Sequence, residues 1–199
     1  MKKLSYAVMI AVAAYASQGC GGSTPKDTAD SMNMAKDTTM MDSTSRDSMG
    51  GGAMAVNADD AKFATDAATG GMAEVALGKL AQSKATNPKV KDFADMMVND
   101  HSKADDELSS IAKQKNITLP TTIDAAHQQK LDELSKLSGK AFDKAYVDAM
   151  VDGHKKALDL MKMGATSCSD PDLKAFAAKT ETVVQGHLDA ITKIQDSMK

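Results

Sequence analysis

From Asn57 onward the apolar residues recur with helical spacing, and before it they do not. Phe63, Ala67, Gly70, Gly71, Leu77, Gly78 and Ala81 fall on one arc at 100° per residue, with Asn57 or Asp59 available as a cap. Gly70, Gly71 and Gly78 weaken this first helix and let another backbone approach it. Asn87-Pro88 ends it and opens a second, to about Lys115, whose stripe is Val90, Phe93, Ala94, Met97, Ala104, Leu108, Ile111 and Ala112. Leu119-Pro120 breaks the chain, and 124–137 predicts a short helix carrying Leu131, Leu134 and Leu137. A third long helix runs from Lys140 to about Gly164 on Phe142, Tyr146, Ala149, Met150, Ala157, Leu160 and Met161. Ser169-Asp170-Pro171 starts the fourth, striped by Leu173, Phe176, Ala177, Thr180, Val184, Leu188, Ile191 and Ile194.

Four long helices with one apolar face each must bury those faces together, so the pattern predicts an all-α bundle over 57–199. Short turns make two antiparallel hairpins. The long second-to-third connection, with its short helix, matches a ferritin-like arrangement better than a simple up-down bundle. Met97-Val98-Asn99-Asp100-His101-Ser102-Lys103-Ala104 echoes Met150-Val151-Asp152-Gly153-His154-Lys155-Lys156-Ala157, which reads as a duplicated helix hairpin.

The preceding sequence is an address and a linker. Lys2 and Lys3 precede an apolar run from Leu4 to Ala16, too short to span a membrane and normal for a signal peptide over 1–19. Gly19 before Cys20 suits cleavage and lipidation at Cys20, which would make membrane lipid a partner in a bacterial envelope. Ser17 stands where a leucine is preferred, and an ordinary cleaved signal is the alternative. Residues 20–56 are Ser, Thr, Asp, Gly and Met with almost no branched aliphatics, a composition that predicts a disordered tether. As a coil its reach is roughly 30–36 Å. Its Met32, Met34, Met40, Met41, Met49 and Met54 read as linker composition or as soft ligands for Cu(I).

Charge narrows the function classes. Lys+Arg is 24 against Asp+Glu 27, and loss of Lys2 and Lys3 with the signal makes the balance more acidic. No basic surplus exists to hold nucleic acid. No Ser/His/Asp constellation, phosphate loop or zinc-protease motif is visible, so no catalytic residue is assigned. His127 lies on the short helix with no role. Cys168, in the third-to-fourth turn, reads as a passive surface residue or a site of intermolecular disulfides in an oxidising compartment.

Each long helix carries one ionisable residue inside its apolar arc: Glu74, His101, His154 and His187. At about 1.5 Å per residue all four fall within a turn or two of the bundle midplane, with His187 the furthest out of level. Three imidazoles and a carboxylate suit one transition-metal ion, Cu, Fe or Zn. They equally suit core histidines, one of them paired with the glutamate. Asp105, a turn after His101, is a candidate to orient it from behind. Val98, Val151 and Val184 stand three residues before the histidines, where a di-iron site needs carboxylates.

Phe63-x-x-x-Ala67-x-x-Gly70-Gly71-x-x-Glu74-Val75-x-Leu77-Gly78-x-Leu80-Ala81 resembles the opening of a bacterial envelope family of ferritin-like domains of unknown function. Val90-Lys91-x-Phe93-Ala94-x-x-Met97-Val98-x-Asp100-His101-x-Lys103-Ala104 continues the resemblance, followed by Phe142-Asp143-x-Ala145-Tyr146-Val147-x-x-Met150-Val151-x-Gly153-His154 and Gly186-His187-Leu188. It implies a ferritin-like bundle exported to the envelope, a predicted outer-membrane or periplasmic protein, with no established reaction. A second, copper-linked envelope family built on Met-x-x-His-His is less similar, because Asp100-His101 and Gly153-His154 replace the His-His pair. The functional expectation is a non-enzymatic, lipid-anchored stress or interaction module; the alternative is a metal-binding protein using Glu74, His101, His154 and His187.

Overall fold

The computed structural model describes residues 25–41 and 56–199, with side chains for 25–36 and 56–199. The signal segment, Cys20, Met49 and Met54 lie outside the described residues. Among the described residues the chain is entirely helical: α1 Pro25–Met41, α2 Ala58–Lys84, α3 Pro88–Gln114, α4 Ala125–Ser135, α5 Gly139–Ser167 and α6 Pro171–Asp196. None of these helices is long and apolar enough to cross a membrane.

Helix ends follow local chemistry. Asn57 Oδ1 accepts from Asp60 N, Asp124 Oδ1 from His127 N, and Asp170 Oδ1 from the amides of Asp172 and Leu173. Pro88 and Pro171 occupy first-turn positions, where no amide is needed. At the end of α3, Asn116 takes a left-handed conformation (φ 55°), and Ile117 N reaches back to Ala112 O.

The two hairpins, α2–α3 and α5–α6, pack against each other through α2 with α5 and α3 with α6, and α4 lies on α2 and α5. A constant spacing carries Asp60 onto Asp143, Phe63 onto Tyr146, Gly70 onto Gly153, Asn87-Pro88 onto Asp170-Pro171, and Phe93-Ala94 onto Phe176-Ala177. The duplication therefore pairs α2 with α5 and α3 with α6. The Met97/Met150 echo crosses this relation, because it sets the second helix of one hairpin against the first helix of the other.

Asp60 on α2 accepts from Ser169 N (3.0 Å) and Asp170 N (2.7 Å), the start of α6. Asp143 on α5 accepts from Thr86 N (2.9 Å), Thr86 Oγ1 (2.5 Å) and Asn87 N (2.9 Å), the start of α3. Each hairpin thus caps the other's turn, where helix amides favour a carboxylate.

The apolar core forms two clusters. One holds Phe63, Leu108, Leu158, Met161, Leu173 and Phe176; the other holds Leu77, Phe93, Phe142, Tyr146, Met150 and Ile191. Burying each such large side chain contributes about 1.5–3 kcal/mol. Every long helix passes from one cluster to the other, and each does so at a buried ionisable residue: Glu74, His101, His154 or His187. His187 is level with the rest.

Three expectations change. Residues 25–41, assigned by composition to a disordered tether, form α1 against α2. Polar contacts hold it, which an apolar-pattern reading does not weigh. Asn33 exchanges two hydrogen bonds with the Thr118 backbone (3.0 and 2.8 Å), Lys26 pairs with Asp66 (2.8 Å), and Ala29 is buried. Cys168 is buried rather than at the surface; burial, with the Asp60 carboxylate beside it, pushes its thiol up to about 12. Gly78 does admit α3, since a Cβ there would stand 2.9 Å from Val98 Cγ2, but a Cβ at Gly70 would meet nothing within 4 Å.

Candidate metal centre

The arc positions of Glu74, His101, His154 and His187 become one cluster between the two apolar cores. One ring nitrogen from each histidine lies within 4.8 Å of the other two. The ring centroids are 5.3 Å apart for His101–His187, 5.6 Å for His154–His187 and 5.9 Å for His101–His154. Glu74 Oε2 stands 2.8 Å from His101 Nε2, and Glu74 Oε1 stands 3.6 Å from His154 Nδ1. Phe93 closes one side, its ring edge-on to His154 and His187 at 5.9 and 6.3 Å.

Two imidazoles are oriented from behind. His154 Nδ1 donates to the Met150 carbonyl at 2.8 Å, one helical turn back on α5. The neutral ring therefore carries its lone pair on Nε2. His187 Nε2 lies 3.2 Å from Asp100 Oδ2, which in the same way leaves the lone pair on Nδ1. His154 Nε2, His187 Nδ1 and His101 Nε2 are all buried without an aligned hydrogen bond. His101 Nε2 is close to Glu74, but the N–H does not point along that approach.

An unsatisfied buried polar atom costs about 1–3 kcal/mol, so three in one place are conspicuous. A tetrahedral ion with bonds near 2.1 Å needs ligand atoms about 3.4 Å apart. One nitrogen of each ring lies within 4.8 Å of the other two, an upper bound wider than that spacing.

Charge favours a cation here. Burial alone would raise the Glu74 carboxyl; the nearby imidazoles of His101 and His154 overcome it and lower it to about 2. Burial disfavours a charged His101, and the Glu74 carboxylate more than offsets this, so its pKa is raised. His187 is lowered, chiefly by burial and despite Asp100. The centre thus holds a fixed anion surrounded by imidazoles.

Asp105 does not hydrogen-bond to His101. It acts on that ring through charge, and its carboxylate fills the space beside Gly71, where a Cβ would lie 2.0 Å from Asp105 Oδ1. Burial raises Asp105 to about 7. The residue that does orient one of these imidazoles is Asp100, which sequence reasoning missed. Its signal was adjacency: it directly precedes His101 and lies one turn from Met97 on the buried face. His127 stays outside the cluster, with Nδ1 2.8 Å from Asp124 Oδ1 at the start of α4.

The profile of a family described as "Domain of unknown function (DUF4142)" matches residues 45–194. No curated protein matches the chain. Among solved structures, the chain is similar to a DUF305 fragment from Deinococcus radiodurans, with TM-score 0.65 and 10% identity over 72% of this chain and 99% of that one. It is also similar to CopM in the Cu(II)-bound form, with TM-score 0.61 and 15% identity over 70% of this chain and 97% of that one. At these identities the likeness is one of fold.

Proposed function

The chain belongs to the family described as a domain of unknown function, DUF4142, and on that footing we propose that it binds one transition-metal ion inside a ferritin-like four-helix bundle. His101, His154 and His187 supply nitrogens and Glu74 a carboxylate oxygen. The observation that carries this reading is the set of three buried ring nitrogens, one per histidine, that lack aligned hydrogen-bond partners, in a trio of histidines that each bring one nitrogen within 4.8 Å of the other two. One ion would satisfy all three and neutralise Glu74. Protonating the rings instead would place like charges 5–6 Å apart between ring centroids, inside the core.

Imidazole with carboxylate suits Cu(II), Zn(II) or Fe(II), and is too nitrogen-rich for Mg or Ca. One carboxylate is too few for a di-iron centre. The role is therefore binding, with no turnover assigned. That CopM is known in a Cu(II)-bound form makes Cu(II) the first ion to try. The Glu74–His101 approach supports one competing reading, a structural ion pair in the core.

The reading extends to the cell address. A signal over 1–19 and lipidation at Cys20 would place the bundle on an envelope membrane, where it could also serve as a stress or interaction module. Palmitate labelling lost in Cys20→Ala tests the anchor.

Elemental analysis tests the metal. The chain, purified without a histidine tag and loaded with Cu(II), Zn(II) or Fe(II) in turn, should retain close to one ion through gel filtration. His154→Ala and His187→Ala should each weaken binding at least 100-fold. Retention of none of the ions would leave the histidines structural.

A further inference from the structure

A cavity of about 670 Å³ opens beside the cluster, enclosed by α2, α3, α4, α5 and α6. Glu74 and His101 line it; His154 and His187 do not. The two histidines held from behind by Met150 and Asp100 thus form the back of the site, and the carboxylate and His101 form its open face. His101 is buried, and its Nε2, which stands 2.8 Å from Glu74 Oε2 without an aligned hydrogen bond, belongs to the side chain that borders this space.

We infer that this cavity is a ligand site, taking a small, largely apolar organic molecule whose nitrogen or oxygen head group coordinates the ion bound by the cluster. The inference rests on the metal reading above and gives that site a substrate class. Size argues for an organic molecule. A water-sized ligand needs roughly 30 Å³, while sites for small organic molecules run to about 300–1,000 Å³. Lining chemistry argues for an apolar body: Leu77, Met150, Leu160, Met161 and Phe176 form the walls. Lys26, Lys130 and Lys156 face Asp66, Glu74, Asp105, Asp124 and Asp152 around the cavity, a surplus of acidic groups that disfavours an anionic ligand.

The backbone keeps the space open. Gly70 and Gly153, equivalent positions in the two hairpins, both line the cavity in mid-helix, where each glycine costs about 1 kcal/mol against alanine. A Cβ at Gly153 would stand 3.6 Å from Glu74 Oε1, an ordinary contact, and one at Gly70 would touch nothing within 4 Å. Neither glycine is required by close packing. Side chains there would instead occupy the approach to the ion.

The test uses the full chain loaded with Co(II), whose visible spectrum reports coordination, and two probes sharing one head group: imidazole and 4-phenylimidazole. Both should shift the Co(II) bands with the ion still bound after gel filtration. 4-Phenylimidazole should half-saturate at a concentration at least tenfold lower than imidazole. Gly70→Leu should load Co(II) normally and weaken 4-phenylimidazole at least tenfold, with imidazole changed less. Stoichiometric Co(II) with bands unmoved by either probe would overturn this inference and leave the metal reading standing. Equal half-saturation by the two probes, or a Gly70→Leu chain indistinguishable from the parent, would overturn the apolar ligand class. A chain that holds no Co(II) would overturn this inference, and one that also holds none of Cu(II), Zn(II) and Fe(II) would remove the metal reading with it.

Discussion

Asp60 and Asp143 occupy matching places on α2 and α5, and each reaches across to cap the other hairpin's turn. Further along the same helices the match ends. Gly71 stands where the other hairpin has His154, Ala157 where the first has Glu74, Val184 where it has His101, and Ala104 where the second has His187. At the turns the two hairpins are alike in chemistry as well as backbone; at the middle they share only the backbone. The likeness serves assembly, since reciprocal caps dock one hairpin on the other. The unlikeness gathers the candidate ligands, because the uneven set converges as three imidazoles and one carboxylate.

The largest effect on stability is expected where the hairpins agree. Asp143→Ala removes three hydrogen bonds to a buried carboxylate and orphans the Thr86 and Asn87 amides. It should cost about 3 kcal/mol in urea unfolding. Asp60→Ala removes two and should cost about 2 kcal/mol. Metal affinity should be unchanged in both once the chain is folded. If either variant loses affinity as steeply as stability, the ends and the middle are not separable and the comparison fails.

Next comes the middle. Asp100→Ala removes the acceptor behind His187 Nε2. A lost partner of this kind lowers metal affinity about 10–100-fold. Competitive titration against a chelator should show that loss, with unfolding destabilised by about 1 kcal/mol because the buried His187 Nε2 is left without its partner. Affinity should also fall with pH. His101 is held above its ordinary pKa, and below that raised value a proton competes with the ion for the ring. An Asp100→Ala chain with full affinity would mean that His187 is a core residue and not a ligand.

How much of this was legible depends on what each residue looks like along the chain. Glu74, His101, His154 and His187 stood out because an ionisable side chain inside an apolar arc is itself a signal. The helix-start residues Asn57, Asp124 and Asp170 stood out for their cap chemistry. Asp60 and Asp143 did not. An acidic residue near a helix start, such as Asp60 in the first turn of α2, reads as favourable to its own helix dipole, and only the packed hairpins reveal that it caps another helix. Asp100 was hidden among surface acids. The α1 helix was hidden because Asn33 and Lys26 fasten it through polar groups whose partners, Thr118 and Asp66, are remote in sequence. Cys168 looked exposed because its turn is polar, yet the Asp60 caps draw that turn into the core.

The smallest effect is expected at Asp105, whose equivalent in the other hairpin is Leu188. One hairpin here has an apolar side chain and the other a carboxyl beside Gly71, raised by burial from 3.8 to about 7. Between those values the folded chain keeps a proton that the unfolded chain has released. Stability therefore falls as pH rises from about 4 to 7, and the loss is complete above 7. Asp105→Asn has no proton to release. Its gain over the parent should be near zero at pH 4 and grow to about 1 kcal/mol at pH 8, after allowing for partial solvent screening. Melting the two chains at pH 4, 6 and 8 reads the difference, which includes the change in the charge interaction of Asp105 with His101 and Glu74. A constant offset at all three values would show that Asp105 is ionised throughout. The carboxyl would then be a solvated wall of the cavity, and the contrast with Leu188 would carry no electrostatic cost.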